Sequence, residues 1–271
     1  MPAVPRVKVG DLFLSYEVSG RGEPLVLIMG FGLPGAAWKP ALPFLSGFRC
    51  FVIDNRGTGA SDRPGAPYTM GDMAEDVAGL MDVLELPRAF VYGVSMGGMI
   101  GQELALRYPE KVAKLVLGCT SPGGWQARMA EPSVIETVMS SAKSQAADPG
   151  GSLERLFSVL YPASLVAGHP ELKQRMLELF TGLPPTPPET AGYQMAAVMG
   201  FSAWERLPSI KCPVLIVHGD ADVLVPPENA RLLKQRIPHA ELFMIPGAGH
   251  DYQVADPIGI HRKIVAWLRQ P

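Results

Sequence analysis

The chain has 271 residues, 47% hydrophobic and 18% charged, with a formal net charge of −2. That length suits one α/β domain carrying an insertion, and the charge, with no run of Lys or Arg, argues against a nucleic-acid or anionic-membrane partner. No stretch approaches the roughly 18 apolar residues of a membrane span, Cys50, Cys119 and Cys212 read as free thiols, and the opening "MPAVPRVKVGD" lacks the apolar core of a signal peptide, so a cytoplasmic protein is expected.

In chain order, "VKVGDLFLSYEV" (7–18) predicts a hairpin turning at Gly10-Asp11. Three short apolar runs follow: "LVLIM" (25–29), "FRCFVID" (48–54) and "AFVYG" (89–93). "KLVLG" (114–118) and "PVLIVHG" (213–219) repeat the form. Runs of this kind suit strands buried on both faces of a parallel sheet. Between them, 69–85 predicts a helix with a capping box at Thr69 and Asp72 and an apolar stripe of Met73, Val77, Leu80, Met81 and Leu84. A second helix runs from Ser95 to about Tyr108, and a last one opens at Asp256-Pro257. Alternating strand and helix implies a mostly parallel sheet with helices on both faces. The alternation fails between "KLVLG" and "PVLIVHG", where 133–143, 152–166, 170–182 and 188–204 all have helical patterns. Residues 123–208 are therefore expected to form a helical cap, with 1–122 and 209–271 as the core.

"GVSMGG" (93–98) fits G-x-S-x-G, a weak signal alone. Its position strengthens it: Ser95 falls where a strand ends and a helix begins, on a tight turn that presents its hydroxyl above the sheet edge. A serine hydroxyl needs a base. Of five histidines, His250 follows a strand in the Gly-rich "GAGH", at the same sheet edge, whereas His218 is expected to pack, and His169, His239 and His261 lie in the cap or in polar contexts. The imidazole needs a carboxylate in turn. Asp220 and Asp222 both follow the "PVLIVHG" strand; Asp222 is preferred, with Asp220 shaping the turn.

With "LVLIMGFG" (25–32), "DNRGTGASD" (54–62), "GVSMGG", "GDADVLVP" (219–226) and "GAGH" (247–250) in this order, the chain resembles the α/β-hydrolase superfamily. The resemblance covers nearly everything outside 123–208. It implies an oxyanion hole made by the backbone N–H groups of Phe31 and Met96. Where the family commonly has His-Gly, this chain has Met29-Gly30, which puts in question what steadies that loop. Asp54 and Arg56 read as loop braces.

The reaction expected is acyl transfer to water through Ser95, with no metal and no cofactor. Carboxylesterases, enol-lactonases and cofactor-free haloperoxidases are the similar groups; an ester of a small or medium acyl group, or a lactone, is the favoured small-molecule substrate. A homo-oligomer is compatible with these features, and a non-catalytic receptor on the same fold is the reading from another class. Trp125 and Met99 are the expected substrate contacts, with Met96, Met139, Met176, Met195 and Met199 as further pocket candidates. A lactonase for carboxylate-bearing substrates would need a cation under the cap, for which Arg128, Arg155 and Arg175 are available.

Overall fold

The computed structural model describes residues 4–271. Among them, eight strands form one sheet in the order β1-β2-β4-β3-β5-β6-β7-β8. These are β1 (Arg6–Val9), β2 (Leu12–Ser19), β3 (Pro24–Ile28), β4 (Arg49–Ile53), β5 (Ala89–Val94), β6 (Val112–Gly118), β7 (Val214–Gly219) and β8 (Glu241–Ile245). The β1/β2 and β2/β4 pairs are antiparallel and every other pair is parallel. The predicted hairpin turns at Gly10, whose φ of +56° suits a residue without a Cβ.

The apolar runs are continuous because each strand feeds two cores. Leu25, Leu27, Tyr92 and Val116 point to one side of the sheet; Val26, Ile28, Val91 and Leu117 point to the other. One core is closed by α1 (Met70–Val83), α2 (Met96–Arg107) and α8 (Glu228–Arg236), the other by α9 (Pro257–Leu268) and the 3-10 turns at 35–38 and 42–45. Both predicted caps are present. Thr69 Oγ1 accepts from Asp72 N while Asp72 accepts from Thr69 N, and Asp256 accepts from Gly259 N at 2.9 Å ahead of Pro257.

Five helices stand between β6 and β7: α3 (Pro132–Ser144), α4 (Pro149–Leu160), α5 (Ala163–Gly168), α6 (Glu171–Thr181) and α7 (Pro188–Gly200). The helix expected over 152–166 is two, because Pro162 forces Tyr161 into extended backbone (φ −127°, ψ 118°) and ends α4. The helix expected over 188–204 stops at Gly200, where the chain turns extended and Ser202 pairs with Gly123. The insertion has its own small core of Leu153, Phe157, Tyr161, Leu172 and Met176. No described helix is long and apolar enough to cross a membrane.

Candidate active site

Ser95 links β5 to α2 with φ +55° and ψ −121°, a conformation rare for any residue with a side chain. Two neighbours permit it. A Cβ on Gly93 would collide with the carbonyl of Gly97, and one on Gly97 with the carbonyl of Ile28. The turn is fixed by Ser95 N donating to Gly118 O (2.8 Å), by Gly98 N donating to Ser95 O (2.9 Å) and by Thr120 Oγ1 donating to the same carbonyl (2.7 Å).

Asp222 follows β7 and is buried. Its Oδ1 accepts from the N–H groups of Leu224 and Val225, each at 2.9 Å. Its Oδ2 accepts from His250 Nδ1 at 2.8 Å. Burial alone would push this carboxyl up, but the imidazoles of His250 and His218 outweigh it and hold the group well below the usual carboxylate range. Burial likewise works against a charged His250, and here the Asp222 carboxylate wins and raises the imidazole above its ordinary value. Asp220 does not join this pair. It is exposed and accepts from Gly247 N at 2.6 Å, bracing the turn that carries His250. Ser95 and His250 line one cavity of about 400 Å³. Among the described residues the Ser95 hydroxyl has no hydrogen-bond partner; such bonds are often long without a bound ligand and tighten with it.

Phe31 also lines the cavity, on the loop after β3. This loop runs close to Ser95, since a Cβ on Gly30 would lie 3.1 Å from Ser95 Cβ. Met96 opens α2 with its side chain buried in the core. Neither the Phe31 nor the Met96 N–H donates to another described residue. Three side chains steady the loop where the family's histidine is missing. Asn55 Nδ2 donates to Met29 O (2.9 Å), Gln194 Oε1 accepts from Gly32 N (2.8 Å) and Thr186 Oγ1 donates to Gly32 O (2.9 Å). The last two come from the insertion. Asp54 and Arg56 are braces as expected. Asp54 accepts from Gly35 N and Ala60 N at 2.8 and 2.9 Å, and Arg56 forks onto Asp76.

The expected substrate contacts are corrected. Trp125 is 90% exposed and stands outside the cavity lining, because the loop that bears it turns at Gly123 and Gly124, both at positive φ. Met99 lies one turn into α2 and is buried in the core on the helix side of the sheet. Of the methionines considered, Met176 reaches the cavity, while Met199 is 60% exposed. Leu153, Leu160, Leu179, Phe180 and Phe44 line the wall instead. Arg175 lines the cavity; Arg128 and Arg155 do not.

Three residues escaped the sequence reading. His218, expected simply to pack, is fully buried with its Nε2 3.3 Å from Asp222 Oδ2 and 2.8 Å from Val225 O. Its i, i+4 spacing to Asp222 was the available signal. His261 is buried, stacks on Phe44 with ring centroids 4.9 Å apart, and lines the cavity. Asp251, next to His250 in the chain, also lines the cavity.

Comparison with known proteins agrees with this architecture. Residues 23–257 match the alpha/beta hydrolase fold family. A relative in Caulobacter sp. (strain K31), named as a carbamate hydrolase (RutD), is 32% identical over 252 residues, covering 91% of this chain and 90% of its own. Among solved structures, a thermophilic esterase from Thermogutta terrifontis matches with a TM-score of 0.81 at 30% identity, over 98% of each chain. The enol-lactonase of Burkholderia xenovorans LB400 matches with a TM-score of 0.83 at 25% identity, over 98% of this chain and 100% of that one. Fold, family match and relatives agree that this chain belongs to the α/β-hydrolase fold family and is a hydrolase of that fold.

Proposed function

We propose that the chain is a serine hydrolase that cleaves carboxylic esters of small to medium acyl groups, with Ser95, His250 and Asp222 as its catalytic triad. The observation that carries this reading is the buried Asp222–His250 hydrogen bond at 2.8 Å, on a histidine that shares one apolar cavity with a strained Ser95. Ser95 Oγ attacks the ester carbonyl carbon as His250 Nε2 takes its proton. The oxygen of the tetrahedral intermediate takes up the charge, and the N–H groups of Phe31 and Met96 stabilise it, each worth on the order of 3 kcal/mol. His250 then gives the proton to the departing alcohol. Water, deprotonated by the same imidazole, cleaves the acyl-enzyme and restores Ser95. Asp222 keeps the proton on Nδ1, so that Nε2 faces the serine as a base. Residues 123–208 act as a cap over this chemistry, and their leucines and phenylalanines suit an acyl chain.

A lactonase is the second reading, since a lactone presents the same carbonyl and Arg175 sits at the cavity. Turnover of p-nitrophenyl acetate and butyrate by the wild type and Ser95→Ala tests the reaction. The substitution is expected to lower kcat by at least roughly 10⁴-fold. Equal turnover by the two proteins would remove Ser95 from the chemistry, and a wild type that binds ligand but turns over no ester or lactone would favour a receptor.

A further inference from the structure

The steps above make no use of Asp251, which stands one residue beyond the base. Its Oδ2 accepts from Tyr161 Oη at 2.8 Å, and its N–H donates to Leu160 O at 3.4 Å. Both partners sit at the end of α4, so the insertion fixes this carboxylate over the cavity. Tyr161 is fully buried, and its hydroxyl is committed to the contact. Leu160, Met176 and Val254 make the nearby wall apolar. One neutral hydroxyl does not neutralise a carboxylate. Burial pushes the Asp251 carboxyl above the ordinary range by more than Tyr161, His250 and Arg175 draw it down. Arg175, on an exposed position of α6, contributes only a partial counter-field.

We propose that Asp251 is a specificity-determining residue: its carboxylate, held by Tyr161 in an apolar wall beside His250, makes the cavity accept uncharged ligands and turn away ligands that carry a carboxylate. Two like charges repel far more strongly inside such a wall than in water, because little solvent stands between them. An uncharged ester, carbamate or amide escapes that repulsion, and any N–H or O–H it carries can donate to Asp251 Oδ1. The assignment of esters and lactones as substrates rests on the hydrolase reading; the selection by charge is a property of the cavity alone. Arg175 argues in the opposite direction, as an anchor for an anionic substrate, and the two expectations are separable.

The test is binding, measured calorimetrically at pH 8 in the Ser95→Ala background, so that turnover plays no part. The probes are 4-phenylbutanamide and 4-phenylbutyrate, which share shape and differ in charge. The amide is expected to bind at least about tenfold more tightly than the carboxylate. Adding Asp251→Asn brings the two within about threefold, through a gain in carboxylate affinity. Tyr161→Phe, which keeps the charge but releases it from the wall, narrows the ratio less; it serves as the second variant should Asp251→Asn fail to fold. Equal binding of the two probes by the parent, a preference for the carboxylate, or a ratio that neither substitution moves would overturn the proposal. So would the absence of any amide binding. Ester turnover is scored separately on protein with Ser95 intact, so the reaction can fail while the selection stands, and the reverse.

Discussion

At the scale of single residues, the proposed base is governed by opposed effects. Burial disfavours the imidazolium of His250, the Asp222 carboxylate favours it, and the carboxylate prevails. An imidazole accepts a proton only when neutral. Therefore kcat/KM is expected to rise with pH, through a midpoint above the ordinary histidine value of 6.5, and then level off. Asp222→Asn removes the favourable charge and leaves the burial, so the midpoint moves down. At the same time the plateau falls by roughly 10³- to 10⁴-fold, because Nδ1 loses the acceptor that sets the tautomer. A plateau unchanged in the variant would remove Asp222 from the mechanism. The placement of Ser95, Asp222 and His250 at one edge of the sheet was readable because each follows the end of a strand by a few residues at most, and a strand end fixes which edge a residue occupies. Trp125 and Met99 were misread for a complementary reason. Whether a side chain on a loop or helix faces a cavity or turns away depends on the path of loops such as 119–131 and the rotation of the helix. Neither leaves a trace in composition.

At the scale of elements, short local signals proved dependable and long ones less so. The capping box at Thr69 was legible because it needs only two residues three apart. Thr69→Ala is expected to lower stability by about 1 kcal/mol in urea unfolding while leaving kcat unchanged, because neither Thr69 nor Asp72 lines the cavity. The run 152–166 was read as one helix although Pro162 interrupts it, and the break has a use: it is the extended Tyr161 that reaches Asp251. The loop after β3 lacks the histidine common in its family and is secured by side chains distant in sequence, so its support could not be seen before folding. Gln194 is fully buried, and its Oε1 takes the Gly32 N–H. Gln194→Ala leaves that donor without an acceptor and loosens the Phe31 amide beside it. Steady-state kinetics should then show kcat down by about tenfold with KM changed by less than about twofold. A rise confined to KM would mean that Gln194 shapes the ligand pocket and not the proposed oxyanion loop.

At the scale of the molecule, alternation of apolar runs with helices was enough to place the sheet, because only a sheet covered on both sides buries both faces of every strand. The substrate was far less legible, since the cavity wall is assembled from α3, α4 and α6 against the sheet edge, and each contributes a few side chains from a separate stretch of chain. The insertion leaves and returns at one point: Gly123 pairs with Ser202, Ala203 N donates to Pro122 O and Gly124 N to Phe201 O, both at 2.9 Å. A polypeptide loop whose two ends meet in this way can be lengthened, shortened or exchanged without shifting the scaffold beneath it. Ligand preference can thus drift over generations while the hydrolytic apparatus stays put, within a constraint: any replacement segment must still supply the hydroxyl and amide that Thr186 and Gln194 extend to Gly32.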